Sequence, residues 1–238
     1  MVNRIMDIHP GYLGNHRLAN ELRLLISVLT EKNVQKTDNL ANSDLEPWRE
    51  NSWAASQRYF WLKAELEFRG LTESIAELPI KKRRNKNRWP EPSSPPAQQL
   101  EWVSVEGSED HTARIPYPKN SQQLWAQHKY SILARDANLY REFGHKVAKA
   151  YSIREFPDLA NQLTFLLRAQ PKEGGLRNAL QHMWGHVSND EAVNPGPSEW
   201  SLAKLDEEIK RRVTVQGERY LLHSTALTDL QTWFHGRQ

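Results

Sequence analysis

The chain has 238 residues, nine tryptophans, no cysteine and a formal net charge of +3. Without cysteine there is no disulfide framework, thiolate nucleophile or Cys-ligated zinc, and no apolar run approaches the ~18 residues of a membrane span. Hydrophobic residues at 38% exclude a wholly disordered chain, while a mean hydropathy of -0.76 indicates a very polar surface. The opening MVNRIMDIHPG places Asp7 and His9 where a signal peptide needs an unbroken apolar core, so a cytoplasmic protein is expected.

From Asn15 to Thr30, Leu18, Leu22, Leu25, Ile26 and Leu29 recur at three- and four-residue spacing and predict a first helix. Trp53, Phe60, Leu66 and the neighbouring alanines predict a second from Ser52 to Arg69, stopped by Gly70. Thr72 can cap a short third helix ending near Pro79. Six positive charges then fall within eight residues at Lys81, Lys82, Arg83, Arg84, Lys86 and Arg88, with no acid among them. Without these six, 26 basic residues face 29 acidic ones, a net of -3, so the positive excess lies wholly in this run. Charges this dense resist helix formation, and phosphate is their natural partner because each neutralised phosphate releases a counterion. Trp89 adjoins the run, and an aromatic face beside Lys and Arg suits single-strand binding.

PEPSSPPAQQ follows, its prolines predicting a stiff extended linker. Leu100 to Val105 alternates in the manner of a strand, and GSEDHTARIPYP closes the irregular stretch. Beyond it, Ser121 can cap a helix carrying Leu124, His128 and Leu133, and Asp136 a helix carrying Leu139, Tyr140, Phe143 and Val147. Pro157 suits the first turn of a helix reaching about Arg168. Another helix begins after Gly174-Gly175 with Leu176, Leu180, Met183 and Val187, and Ser198 opens one with Leu202, Leu205 and Ile209. A leucine-rich helix is expected from Gly217 to Phe234. The expected fold class is mainly α: two helical modules, residues 1–84 and 119–238, joined by a basic, proline-rich linker over 85–118.

Trp125, His128, Lys129, Tyr130 and Arg135 interleave aromatics and bases within eleven residues, a pattern that can stack and neutralise a nucleic-acid strand. Free amides at the Gly174-Gly175 helix start can hold a phosphate, with Arg177 and Asn178 adding contacts, or the two glycines form an ordinary loop-to-helix turn. His182 and His186 have metal-ligand spacing. Two histidines without a nearby glutamate are fewer than a catalytic zinc requires, so a hydrogen-bonded or nucleic-acid-contacting pair is expected and no metal.

Two stretches resemble known families. Residues 4–70, beginning Arg4-Ile5-Met6-Asp7-Ile8-His9-Pro10-Gly11-Tyr12-Leu13, resemble the amino-terminal region of the pyrimidine-dimer DNA glycosylase (endonuclease V type) family. Residues 119–188 resemble the YbgA-type domain of unknown function through LWAQHKYSILARDANLYREFG and GGLRNALQHMWGHVS. The first resemblance implies a cofactor-free glycosylase and abasic-site lyase in DNA repair. In it an amino-terminal amine, here that of Val2 if Met1 is removed, attacks the sugar with support from a glutamate. The family's early arginine falls on Arg4 and its helix arginine on Arg23, while the catalytic glutamate position holds Leu24, leaving Glu21 one turn earlier.

The expected partner is therefore nucleic acid, DNA more than RNA, with no membrane and no cofactor. The alternatives are a catalytically inactive DNA- or RNA-binding protein and a helical interaction or assembly protein.

Overall fold

A computed structural model describes residues 4–30, 45–71, 78, 89–92, 94–106, 111–149, 155–189 and 195–234. They fall into two units, Met1–Ala113 and Arg114–Gln238. Among the described residues the regular structure is helical and no strand occurs, so the fold is mainly α. No helix among them is long and apolar enough to cross a membrane. Val2, the basic run from Lys81 to Arg88 and the start of the helix expected from Thr72 lie outside the described residues.

In the first unit, a buried segment carrying Ile5, Met6 and Ile8 leads into a single 3-10 turn, Pro10–Tyr12. His9 Nδ1 caps that turn by accepting the Gly11 N–H at 3.0 Å. The helices are α1 (Asn15–Thr30), α2 (Glu46–Glu50), α3 (Ser52–Phe68) and α4 (Pro96–Glu106). Helix α1 buries Leu18, Leu22, Leu25 and Val28 and packs against α3. Each such leucine contributes about 1.5–3 kcal/mol through burial. Helix α3 turns Ala54, Ala55, Tyr59, Trp61, Leu62 and Leu66 inward, and just past its end stands Gly70, whose φ of 72° lies in the left-handed region.

Helix α4 occupies part of the stretch expected to be linker and strand. Pro96 stands at its first position, where a missing amide removes no hydrogen bond. Leu100 and Val103 are buried while Val105 is exposed, so a three-residue period prevails over the alternation read there. Trp89 also departs from expectation. It is buried, stacked on Trp61 at 5.3 Å and met edge-on by Trp48 and Trp53, and so offers no face to a strand.

The second unit is built around α5 (Ser121–Arg135), against which α6 (Ala137–Ala148), α7 (Phe156–Leu167) and α8 (Glu173–Trp184) pack. Helix α9 (Leu202–Gln216) lies on α8, followed by the short α10 (Arg219–Leu222), α11 (Ala226–Asp229) and α12 (Gln231–Phe234). Asn120 caps α5 and Asp136 caps α6, each side chain accepting a first-turn amide. Ser201, rather than Ser198, caps α9. Gly217 ends α9 with a φ of 64°, and the single leucine-rich helix expected beyond it is divided into three. Arg135 and Asp229 form an ion pair at 2.8 Å that joins α5 to α11 inside the unit.

Candidate nucleic-acid interface

Among the described residues of the first unit, Arg4, Glu21 and Arg23 do not gather into one open site. Glu21 is 1% exposed and its Oε1 receives the Arg58 Nε–H at 2.7 Å. Arg58 is itself fully buried and also donates to the Ile8 carbonyl at 2.5 Å. The carboxylate thus faces the unit's interior and fastens α1 to α3. Arg4 lies with its guanidinium 4.9 Å from the Trp102 ring centre, and Arg23 is exposed, bonding Asn20 of its own helix at 2.9 Å.

The second unit sorts its predicted residues more sharply. His128 is buried and its Nδ1–H donates to the Leu124 carbonyl at 3.0 Å, so it touches no strand. Burial lowers its pKa to about 4, against smaller raising effects of that carbonyl bond and of Asp229. A histidine whose folded pKa lies below its ordinary value stabilises the fold above pH ~6.5 and loses that contribution as pH falls toward 4. The window corresponds to on the order of 3 kcal/mol. Urea unfolding of the native chain and of His128→Gln across that range should show the steeper acid loss in the native chain; parallel curves would refute it.

Arg135 is engaged by Asp229 and by the carbonyls of Ser131, Leu167 and Ala169, and its role is structural. Arg177 donates to the carbonyls of Ser198 and Trp200, tying α8 to the segment before α9. Asn178 is exposed on the same helix. Trp125 is half-buried against Tyr140 and Phe143 of α6, at ring separations of 5.5 and 6.2 Å. The Gly174-Gly175 start of α8 has a packing cause: a Cβ at Gly175 would lie 2.1 Å from the Ala134 carbonyl oxygen of α5.

Two predicted residues share a neighbour. Lys129 of α5 and His182 of α8 flank Tyr130, with His186 and Tyr220 completing the group. The Tyr130 hydroxyl and His186 Nε2 are 2.6 Å apart. His186 stacks on Tyr220 at 5.1 Å with 20° between the rings, and His182 lies stacked on Tyr130 at 6.5 Å. Lys129 Nζ sits 4.7 Å from the Tyr130 ring centre and 4.8 Å from that of Tyr220. This ammonium makes no ion pair with the carboxylates among the described residues; its partners are the two π faces. Both histidines are exposed, Lys129 and Tyr220 half-buried, and Tyr130 buried.

Burial pushes the Tyr130 phenol up, with Tyr220 and Tyr140 adding to it; burial, helped by Lys129 and His182, pulls His186 down against a raising effect of Glu218. A second aromatic ladder runs from Lys204 over Trp200 to Trp184 and Arg212. There Arg212 is matched by Glu208, whose carboxyl the hydrogen bonds of Arg211 and Arg212 hold down at about 2.

The four-residue spacing of His182 and His186 signals their common face, and Lys129-Tyr130 is visible as a word. Tyr220 carries no such signal, because it reaches the group only through the turn after α9.

Residues 129–227 match the family described as a protein of unknown function (DUF1722), in agreement with the resemblance of the C-terminal half to the YbgA-type domain. That match includes every member of the Lys129–Tyr220 group, and no family match supports the glycosylase resemblance of residues 4–70. No curated protein and no solved structure matches the chain.

Proposed function

We propose that the chain is a nucleic-acid-binding protein that contacts single-stranded segments through the Lys129–Tyr130–His182–His186–Tyr220 face, with the basic run at 81–88 supplying phosphate neutralisation. The observation that carries this reading is the ammonium of Lys129, in ion-pair contact with no described carboxylate, set against two tyrosine rings beside the exposed His186, which stacks on the half-buried Tyr220. A base can lie on such a face whatever its identity, and base–aromatic stacking contributes about 1–3 kcal/mol per base.

Fluorescence anisotropy with labelled single-stranded oligonucleotides tests it. Binding should weaken with salt, and replacing Lys81, Lys82, Arg83 and Arg84 by Ala should flatten the logarithmic salt slope by about 3. Tyr220→Ala should weaken affinity roughly 5- to 150-fold. Absence of salt-sensitive binding by the native chain would refute the proposal.

A DNA-repair glycosylase and abasic-site lyase is the second reading, favoured by the resemblance of residues 4–70 and opposed by the burial of Glu21 against Arg58. Borohydride trapping on abasic-site DNA separates the two readings, since a covalent adduct forms only with a lyase.

A further inference from the structure

We infer that the Lys129–His186 group is a site for one phosphate monoester of a nucleotide, carried by the end of a strand or by a free mononucleotide. The inference deepens the proposed strand-binding reading and rests on it for the strand-end source. It starts from the proton balance of the Tyr130–His186 contact. The buried phenol has one proton, and His186 Nε2 is its hydrogen-bond partner at 2.6 Å. The phenol is the stronger acid and an imidazole nitrogen the stronger base, which favours the tautomer in which the Tyr130 hydroxyl donates, Nε2 accepts and the imidazole proton lies on Nδ1.

His186 makes no further hydrogen bond among the described residues and is exposed, so its Nδ1–H is left for an acceptor from outside. Lys129 adds up to three N–H donors and a charge beside the same Tyr220 ring on which His186 stacks. The group therefore offers donors and positive charge together, on an aromatic surface that a base can cover.

The limit to one phosphate follows from the surroundings. Elsewhere in the unit Arg135 is paired with Asp229 and Arg212 with Glu208, while Arg177 and Arg114 are engaged by backbone carbonyls. These guanidinium charges are already engaged, and the Glu218 carboxylate also acts on His186, so the positive charge set on the two tyrosine rings is the ammonium of Lys129. A terminal monoester concentrates nearly two charges and three acceptor oxygens at one point, whereas an internal diester brings a single charge. A compact group of one ammonium, one fixed N–H and the adjacent His182 ring suits the monoester.

The test compares the full chain's affinity for one single-stranded oligonucleotide in three forms, 5′-phosphorylated, 3′-phosphorylated and unphosphorylated, and for a nucleoside 5′-monophosphate. At least one phosphorylated form should bind about 10- to 100-fold more tightly than the unphosphorylated one. Lys129→Met should erase that preference, and Tyr130→Phe, which keeps the ring but frees the imidazole proton, should reduce it. Circular dichroism and thermal melting confirm that each variant is folded.

Equal affinity for all three oligonucleotides overturns the site while leaving strand binding intact. If no oligonucleotide binds, strand binding fails; mononucleotide binding abolished by Lys129→Met then still establishes the site, with free nucleotide as its ligand. A phosphate preference unchanged in both variants places phosphate recognition elsewhere and overturns the inference.

Discussion

Glu21→Ala lowers the stability of the N-terminal unit by about 3–5 kcal/mol, the usual cost of leaving a buried charge without its partner. The abandoned charge is Arg58, which is fully buried, and the pair is already strained for partners. Glu21 Oε2 and Arg58 Nη2 are both buried without a hydrogen bond. Glu21→Gln keeps an acceptor for Arg58 Nε but not the charge, and should cost less than Glu21→Ala. Replacing both residues by Met should recover most of the loss, because it removes both desolvation penalties. Urea unfolding followed by circular dichroism gives the three values. A change below about 1 kcal/mol in Glu21→Ala would show that the carboxylate reaches solvent, returning it to consideration as a group acting on a sugar. A glutamate reserved for chemistry gives the opposite pattern: lost activity with stability unchanged.

Gly175→Ala is the second substitution with a large expected effect, about 3 kcal/mol of destabilisation. The added methyl would meet the Ala134 oxygen at 2.1 Å and its carbonyl carbon at 2.9 Å, both backbone atoms within α5. No rotamer relieves such a contact, so α5 and α8 must move apart and loosen the packing on which the second unit is centred. Gly174→Ala provides the control. Nothing lies within 4 Å of its Cβ position, and alanine favours a helix by about 1 kcal/mol, so this variant should be neutral or slightly stabilised. Thermal melting of the two variants distinguishes packing from a phosphate cradle: a cradle would make both glycines matter for binding and neither strongly for stability.

Much of the helical architecture is legible along the chain. Apolar residues at three- and four-residue spacing mark α1, α5, α6 and α8, and Asp136 at the start of α6 and Gly70 after α3 act as boundary signals within a few residues. Alternation misleads at Leu100 to Val105, because a short apolar run fits either period until its burial is known. The leucine-rich C-terminal segment misleads similarly, since the backbone between Leu222 and Gln231 is redirected by packing onto α5 and α9 rather than by a local stop signal.

Side-chain roles are not set by local pattern. His128 and Lys129 are neighbours in sequence, yet one is sealed in the core and the other lies on the Tyr130–Tyr220 surface. Arg135 and Arg177 are attractive as phosphate ligands until Asp229 and the carbonyls that hold them are seen. By itself the sequence determines a cysteine-free, mainly helical chain, its six-charge run and the shared face of His182 and His186, all set by composition or short-range periodicity. Tertiary structure alone decides that Glu21 answers to Arg58, that Gly175 admits a helix, and that Tyr220 arrives beside Lys129. These are contacts between residues far apart in sequence, where packing and desolvation, rather than local propensity, select the partner.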